Sequence, residues 1–287
     1  MSTHHTTDGH IGHASGPDSD ADAAMAELLE LDAEVLTPYL TELTGWISDV
    51  ADTVPTRIAD LGSGPGTGAL ALADRFPGAV VTALDIAPGS LRRLRHQAAV
   101  RGVSDRVRTV EANLDEAWPL PTHGEPYDLM WAAAFLHHLR DPARTLAQAR
   151  GQLRPGAVLV VTEMDFFPRF LPEDAGVGRP GLEARLHAVT NPNPPHEWSR
   201  TLTDAGFTVE ARRPFDIDLT AAQAGPALNR YAEVCLAKLR FHGAGSLEAD
   251  DRAALDALLD DAHPYGIAGR GDLGVRTTRT TWIARRP

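Results

Sequence analysis

Short apolar runs alternate with amphipathic segments through the middle of the chain. The apolar runs end in polar or acidic residues, as buried strands do, and the segments between them repeat apolar residues at helical spacing. This alternation predicts an α/β fold, a parallel sheet with helices on both faces and ligands at the carboxyl ends of the strands. The pattern predicts strands at 57–61, 79–84, 106–111, 127–132 and 157–163 and helices at 67–76, 89–101 and 142–153.

The pattern is different on both sides of this stretch. Residues 1–22 are polar and have no apolar period, which predicts a disordered tail. Residues 23–55 carry a helical pattern that is interrupted near Pro38. Beyond residue 165 the regularity weakens, and the pattern predicts a helix at 197–205, a strand at 207–213, helical stretches at about 226–241 and 248–262, and a last strand at 280–285.

The first predicted strand ends in Asp60 and leads directly into a glycine-rich turn. Gly62, Gly64 and Gly66 occupy alternate positions, and a helix is predicted from Thr67. Glycines let the backbone approach a ligand closely, and a helix N-terminus offers free N–H groups. The segment therefore predicts a cofactor cradle.

The spacing of this loop argues against a dinucleotide. The dinucleotide fingerprint is G-x-G-x-x-G, whereas this loop reads G-x-G-x-G, with Thr67 where the third glycine would stand. Asp60 would disfavour a pyrophosphate but would favour an ammonium group. Asp85, at the end of the second strand, can accept both hydrogen bonds of a ribose diol. An amino acid joined to an unphosphorylated ribose describes S-adenosylmethionine.

Five motifs, in order over residues 56–165, resemble those of class I S-adenosylmethionine-dependent methyltransferases of the small-molecule kind. The departure from the family pattern is Asn113, where Asp is usual, since Asn keeps an acceptor for the adenine amino group but loses the charge. The motifs are the glycine loop from Asp60 to Gly66, the acid Asp85, the run Glu111–Leu114, the strand Tyr127–Ala132, and the passage from Leu136-His137-His138-Leu139 into Leu153–Val161.

The resemblance implies a doubly wound, Rossmann-like sheet of seven mostly parallel strands, the seventh antiparallel, with N-terminal helices. It divides the rest of the chain into a core at 56–217, a helical insertion or lid at 218–275 and a final core strand at 276–287. It also implies S-adenosylmethionine as the cofactor. The residues that it places on the cofactor are Asp60, Gly62, Ser63, Gly64, Gly66, Asp85, Ile86, Asn113, Leu114 and Ala132.

Methyl transfer does not require a dedicated catalytic residue. Positioning can supply roughly 7–11 kcal/mol of the barrier, whereas a general base supplies about 3–5 kcal/mol. His137 and His138 are nevertheless the catalytic candidates, because imidazole titrates near neutrality and both follow a strand end; alternatively, they are framework residues that pack against the cofactor. Further candidates are His187 and His196 as bases, and Glu163 and Asp165, which could bind a substrate amine or face solvent.

Composition excludes several classes of function. A formal net charge of −12 disfavours a nucleic-acid substrate. No apolar run approaches the roughly 18 residues of a membrane span, and residues 1–22 lack the apolar core of a signal peptide, so a cytoplasmic location is expected. Cys235 is the one cysteine and cannot form an internal disulfide. No metal is expected, since the histidines of the tail are irregularly spaced: His4, His5, His10 and His13.

The sequence as a whole predicts transfer of a methyl group from S-adenosylmethionine to an oxygen or nitrogen of a small, partly apolar organic molecule. One alternative is an NAD-type oxidoreductase, and a second is a non-catalytic module that retains the cofactor. The acceptor pocket is expected to use parts outside the sheet. These are the N-terminal helix near Tyr39, the loop at 166–196, and the insertion with Tyr231 and Phe241.

Overall fold

A computed structural model of the chain describes residues 17–116, 118, 125–190 and 195–287, with side chains described from residue 24 onward. Residues 1–16 of the predicted tail, including its four histidines, lie outside the described residues. Among the helices that are described, none is both long enough and apolar enough to cross a membrane.

Seven strands form one sheet in the order β3-β2-β1-β4-β5-β7-β6. β7 pairs antiparallel with both β5 and β6, and the other strands run parallel to one another. The predicted α/β class and doubly wound, mostly parallel sheet are therefore confirmed. The strands are β1 Arg57–Leu61, β2 Val80–Asp85, β3 Val107–Glu111, β4 Tyr127–Ala133, β5 Leu153–Arg169, β6 Thr208–Thr220 and β7 Gly274–Arg285.

Helices cover both faces of the sheet. Short 3-10 turns at Leu136–His138 and Ile267–Gly269 complete the described secondary structure. The helices are α1 Pro17–Val35, α2 Thr37–Val50, α3 Thr67–Arg75, α4 Pro88–Val100, α5 Pro142–Gln152, α6 Leu182–Thr190, α7 Ser199–Asp204, α8 Ala221–Ala224, α9 Leu228–His242 and α10 Ala249–Leu258.

The N-terminal boundary differs from the expected one. α1 begins at Pro17, so residues 17–22 are helical and do not belong to a disordered tail. Proline is favoured in the first turn of a helix, and acidic residues, here Asp18 and Asp20, are favoured near a helix N-terminus because of the helix dipole. The absence of an apolar period in these few residues concealed their helical propensity.

Alternate residues of the strands pack on opposite faces of the sheet, as the pleat requires. Ile58 of β1 and Trp131 of β4 lie in one apolar cluster with α2, α3 and α4. Ala59 and Leu61 of β1 lie in a second cluster with α5 and α7. The sheet is therefore a rigid central layer whose carboxyl edge is free to carry a site.

The last three strands are longer than predicted. β4 pairs with β5 only as far as Thr162, and the residues of β5 beyond that point pair with β7 alone. β6 follows β7 along its whole length, from Thr208 to Thr220. The three strands thus continue past the carboxyl edge as an extension, against which α9 packs through Tyr231. The chain leaves the sheet after Thr220 and returns to it at Gly274, and the assignment of 218–275 as an insertion stays a prediction.

Candidate cofactor and active site

The glycine loop between β1 and α3 has the backbone that its sequence predicts. Gly62, Gly64 and Gly66 have φ angles of +66°, +52° and +102°, in the left-handed region where a side chain is strained. A Cβ on Gly62 would collide with Phe135, and one on Gly66 would collide with Leu94. A Cβ on Gly64 would meet only Leu29, at 3.4 Å, so this glycine faces the space below α1.

Asp85 fastens this loop to the end of β2. Its Oδ2 accepts a 2.8 Å hydrogen bond from the N–H of Gly64, and its Oδ1 accepts one of 2.8 Å from Ala87. Each carboxylate oxygen retains a further lone pair for a ligand. Beside it, Ile86 is 62% exposed, an unusual position for a large apolar residue that has no partner to pack on. The hydroxyl of Ser63 is buried and has no hydrogen-bond partner among the described residues.

Asp60 lies one layer beneath the loop. Its side chain is 2% exposed and accepts a hydrogen bond from the N–H of Ala69 in the first turn of α3. Burial raises the pKa of this carboxyl to about 7, the Ala69 hydrogen bond opposes the shift, and the charge of Asp85 adds to it. Contact with an ammonium group stays a prediction. Oδ2 of Asp60 is buried and has no hydrogen-bond partner among the described residues.

The other residues expected on the cofactor occupy different depths. Oδ1 of Asn113 accepts from the N–H of Asp115 at 3.1 Å, and its amide donates to Glu116 at 2.9 Å. Leu114 is 4% exposed and Ala132 is fully buried, so neither side chain reaches the cleft surface. Their part in cofactor binding stays a prediction, and any direct contact would be through the backbone.

The two candidate histidines lie on the 3-10 turn that follows β4. Nδ1 of His137 lies 2.7 Å from Oε2 of Glu163, at the end of the core part of β5, and the pKa of His137 is raised, chiefly by this hydrogen bond. His138 lies beside it, with ring centroids 4.0 Å apart, and burial lowers its pKa. Glu163 therefore does not face solvent, and Asp165 accepts a 2.8 Å hydrogen bond from the hydroxyl of Thr280.

The two further histidines lie elsewhere. His187 on α6 is 7% exposed, and burial lowers its pKa to about 4, so it is neutral at pH 7. His196 packs on Trp198, with ring centroids 4.2 Å apart. The structure thus brings His137 and His138 to the carboxyl edge and groups neither of the other two with them.

A buried polar network joins α1 to the far side of the cleft. Asp32 accepts hydrogen bonds from the hydroxyl of Tyr231 on α9 and from Arg279 on β7. The guanidinium of Arg279 lies 5.3 Å from the ring of Tyr39, whose hydroxyl shares a 3.0 Å hydrogen bond with Thr162. These contacts join residues very far apart in the chain, so no local pattern in the sequence could have indicated them.

The aromatic side chains that were expected to line the acceptor pocket, Tyr231 and Phe241, occupy other positions. Tyr231 is 2% exposed and belongs to the core, whereas Phe241 is 80% exposed at the end of α9. The amphipathic pattern of α9 is compatible with either position. Neither side chain is therefore placed to line an open pocket.

Comparison with known proteins agrees with this geometry. Residues 58–156 match a family model described as a methyltransferase domain. The chain is 30% identical over 208 residues to a trans-aconitate 2-methyltransferase of Methylobacterium nodulans, which covers 69% of this chain and 77% of that relative. It is 32% identical to a trans-aconitate 2-methyltransferase of Mycolicibacterium gilvum, over 78% of this chain and 85% of that one.

Other relatives share a smaller part of their length. The chain spans 38% of a malonyl-[acyl-carrier protein] O-methyltransferase of Laribacter hongkongensis, at 34% identity over 39% of this chain. It spans 24% of an uncharacterised Synechococcus protein, at 38% identity over 36% of this chain.

Solved structures share the fold at low sequence identity. A Bacillus halodurans protein described as a methyltransferase superposes with a TM-score of 0.52 at 16% identity, covering 85% of this chain and 98% of that one. The [4+2]-cyclase SpnF superposes with a TM-score of 0.50 at 19% identity, over 86% and 81%. Since the latter is described as a cyclase, the fold alone does not define the reaction.

A seven-stranded sheet of this order, with a glycine loop after β1 and an acid after β2, defines a class of enzymes that bind S-adenosylmethionine. The chain belongs to the class I S-adenosylmethionine-dependent methyltransferases. It is an enzyme, and its methyl donor is S-adenosylmethionine. The residues at the carboxyl edge fit that donor. Each carboxylate oxygen of Asp85 keeps a lone pair, and the buried hydroxyl of Ser63 has no hydrogen-bond partner among the described residues.

Proposed function

We propose that this methyltransferase acts on an oxygen or nitrogen of a small organic acceptor. S-adenosylmethionine supplies an electrophilic methyl group, so the protein's part is to hold both molecules in line and to keep water out. In this proposal the loop from Gly62 to Gly66, Asp85 and Ile86 hold the donor. The acceptor then approaches from the side of α1 and the strand extension.

The observation that carries the proposal is the enclosure of the cleft by α1. Leu29 of α1 lies against Gly64, while Asp32, further along the same helix, is bonded to Tyr231 and Arg279 on the opposite side. Glu27 of α1 forms a 2.8 Å ion pair with Arg230 of α9. A helix held across the mouth obstructs the approach of a folded protein or a nucleic acid, which supports a small acceptor.

The relatives support a small acceptor, since two of those with the greatest shared length are described as acting on trans-aconitate. A macromolecular acceptor is the competing possibility, because another relative is described as acting on malonyl-[acyl-carrier protein]. That relative shares a smaller part of this chain than the other two. The enclosure by α1 favours the small acceptor.

The experiment is a panel assay with methyl-labelled S-adenosylmethionine. Small acceptors would include catechol, aniline and trans-aconitate, and malonyl-loaded acyl carrier protein would represent macromolecules. We expect label in at least one small acceptor and none in the carrier protein. Label in the carrier protein alone would contradict the proposal. Formation of S-adenosylhomocysteine at the same slow rate with every acceptor would also contradict the proposal, since it would show no preference for a small acceptor.

A further inference from the structure

Glu163 is a buried carboxylate with three donors around it. It is 7% exposed, and its Oε1 accepts hydrogen bonds from the N–H groups of Phe135 at 3.0 Å and Leu136 at 2.8 Å. Its Oε2 faces Nδ1 of His137 at 2.7 Å. A charged carboxylate can only accept, so Nδ1 of His137 must carry the proton. Glu163 thereby determines the tautomer of His137.

The fixed tautomer leaves Nε2 of His137 as a free acceptor. The side chain of His137 is 44% exposed, so this nitrogen can meet a ligand although the carboxylate behind it is buried. The backbone just before the turn is strained, since Ala134 has a φ of +47°. Strain of this kind persists only where the surroundings hold it, and it concentrates at functional sites. Here it sets the direction in which the chain leaves β4 toward His137.

We propose that His137 is the general base for the acceptor and that Glu163 is the residue that positions it. This inference rests on the proposed function and narrows the acceptor to molecules that lose a proton on methylation, such as phenols, alcohols and amines. The acceptor oxygen or nitrogen forms a bond to the methyl carbon. The carbon–sulfur bond breaks with its electron pair returning to sulfur, and the acceptor's proton passes to Nε2 of His137.

The charges around His137 give the expected pH dependence. Glu163 on β5 raises the pKa of His137, His138 lies beside it on the same turn, and Lys238 on α9 is close enough to act on His138. A base works only when unprotonated, so turnover falls as the pH falls through the pKa of His137. If His137 instead bound an acceptor's carboxylate as imidazolium, turnover would fall as the pH rises. The direction of the pH limb therefore distinguishes the two roles.

Glu163→Gln is the informative variant, because the Gln oxygen can still accept from Phe135 and Leu136 while its amide donates to Nδ1. That reversal moves the proton of His137 to Nε2 and removes the base without removing the support of the turn. Nitrogen NMR of ring-labelled histidine reports the tautomer and the pKa without any acceptor. We expect a proton on Nδ1 in the wild type, a proton on Nε2 in Glu163→Gln, and a lower pKa in the variant. An Nε2 proton in the wild type, or the same pKa in both proteins, would overturn the proposal.

Kinetics with catechol and trans-aconitate complete the test. For a protic acceptor, His137→Asn and Glu163→Gln are each expected to lower kcat by about 10²–10⁴-fold, with S-adenosylhomocysteine affinity unchanged. Asp216→Asn removes a carboxylate charge from β6 and leaves an amide oxygen that can still accept from the hydroxyl of Thr278, so it should retain wild-type turnover.

Three outcomes contradict the proposal in different ways. If trans-aconitate is the one acceptor methylated and His137→Asn is as active as the wild type, His137 is not a general base. The proposal of a small-molecule acceptor would still stand. Loss of S-adenosylhomocysteine binding in both variants makes the pair a structural support. Methylation of malonyl-loaded acyl carrier protein alone ends the small-molecule function, and the NMR result then decides whether Glu163 positions His137.

Discussion

The two halves of this enzyme are ordered by different kinds of interaction. The cofactor half consists of β1 to β4 and the loops at their carboxyl ends. There, glycines with positive φ shape the loop after β1, and the carboxylates of Asp60 and Asp85 accept hydrogen bonds from nearby backbone N–H groups. The cover half consists of α1, α2, α9 and the extended parts of β5 to β7. These elements are held together by contacts between side chains far apart in the sequence, such as the ion pair of Asp32 with Arg279. A site for a common cofactor can thus be encoded in short segments, whereas the acceptor's enclosure depends on contacts between remote ones.

Removing the charge of Asp32 should have the largest effect on stability. The damage should be confined to the contacts of the cover half. Arg279 is 12% exposed and Asp32 is its sole recorded carboxylate partner in the described part of the chain, so Asp32→Asn leaves a buried cation unpaired. We expect the free energy of unfolding to fall by about 3–5 kcal/mol in urea denaturation. The double variant Asp32→Asn/Arg279→Met should recover most of the lost free energy of unfolding, because it no longer contains the unpaired cation.

A matched change at the surface is the control for the Asp32 prediction. Glu27 and Arg230 also join α1 to α9, but their side chains are 41% and 50% exposed. Glu27→Gln should therefore cost less than about 1 kcal/mol. Equal losses in Glu27→Gln and Asp32→Asn would show that burial is not what makes the Asp32 contact strong.

Asp85→Ala should damage the cofactor half alone. It removes the hydrogen bonds to Gly64 and Ala87 and the predicted ribose contact. We expect calorimetry to show that S-adenosylhomocysteine binding weakens by about 1.5–3 kcal/mol. Asp74→Ala, at an exposed pair with Arg101, should bind as the wild type does. An unchanged dissociation constant in Asp85→Ala would remove the ribose assignment.

Asp60 offers a smaller, pH-dependent test of the cofactor half. Its pKa of about 7 in the folded protein lies above the ordinary value, so the folded state binds this proton more tightly. The stability that it contributes is complete below pH 4 and is lost as the pH rises through 7. Relative to Asp60→Asn, the wild type should therefore lose at least about 1 kcal/mol between pH 5 and pH 8.5. If the free energies of unfolding of the wild type and Asp60→Asn change equally with pH, the pKa of Asp60 is not raised in the folded protein.

Phe241→Ala should have the smallest effect, because this side chain is 80% exposed. A change below about 0.5 kcal/mol in stability, with unchanged acceptor kinetics, is expected. Tyr231→Phe on the same helix removes the bond to Asp32 and should cost about 1–3 kcal/mol. If Phe241→Ala raises the Michaelis constant for the acceptor, Phe241 contacts the acceptor, as the sequence predicted.

The contrast between the halves also explains what the sequence could predict. The bounds of β1 and the position of the glycine loop follow from an apolar run and three glycines, which are local signals. The full length of β5 could not be predicted, because its later residues are ordered by pairing with β7, far away in the chain. His137 was recognisable as a titratable residue after a strand, but its contact with Glu163 depends on the register of β4 against β5.

The position of β7 between β5 and β6 also determines when the sheet can close during synthesis. β6 leaves the ribosome first but has no partner strand, since β7 follows only after the whole insertion has been made. Until then the edge of β5 presents unpaired backbone groups, which is the state in which nascent chains pair with one another. Residues 274–285 therefore pair the open edges of β5 and β6 in a single step.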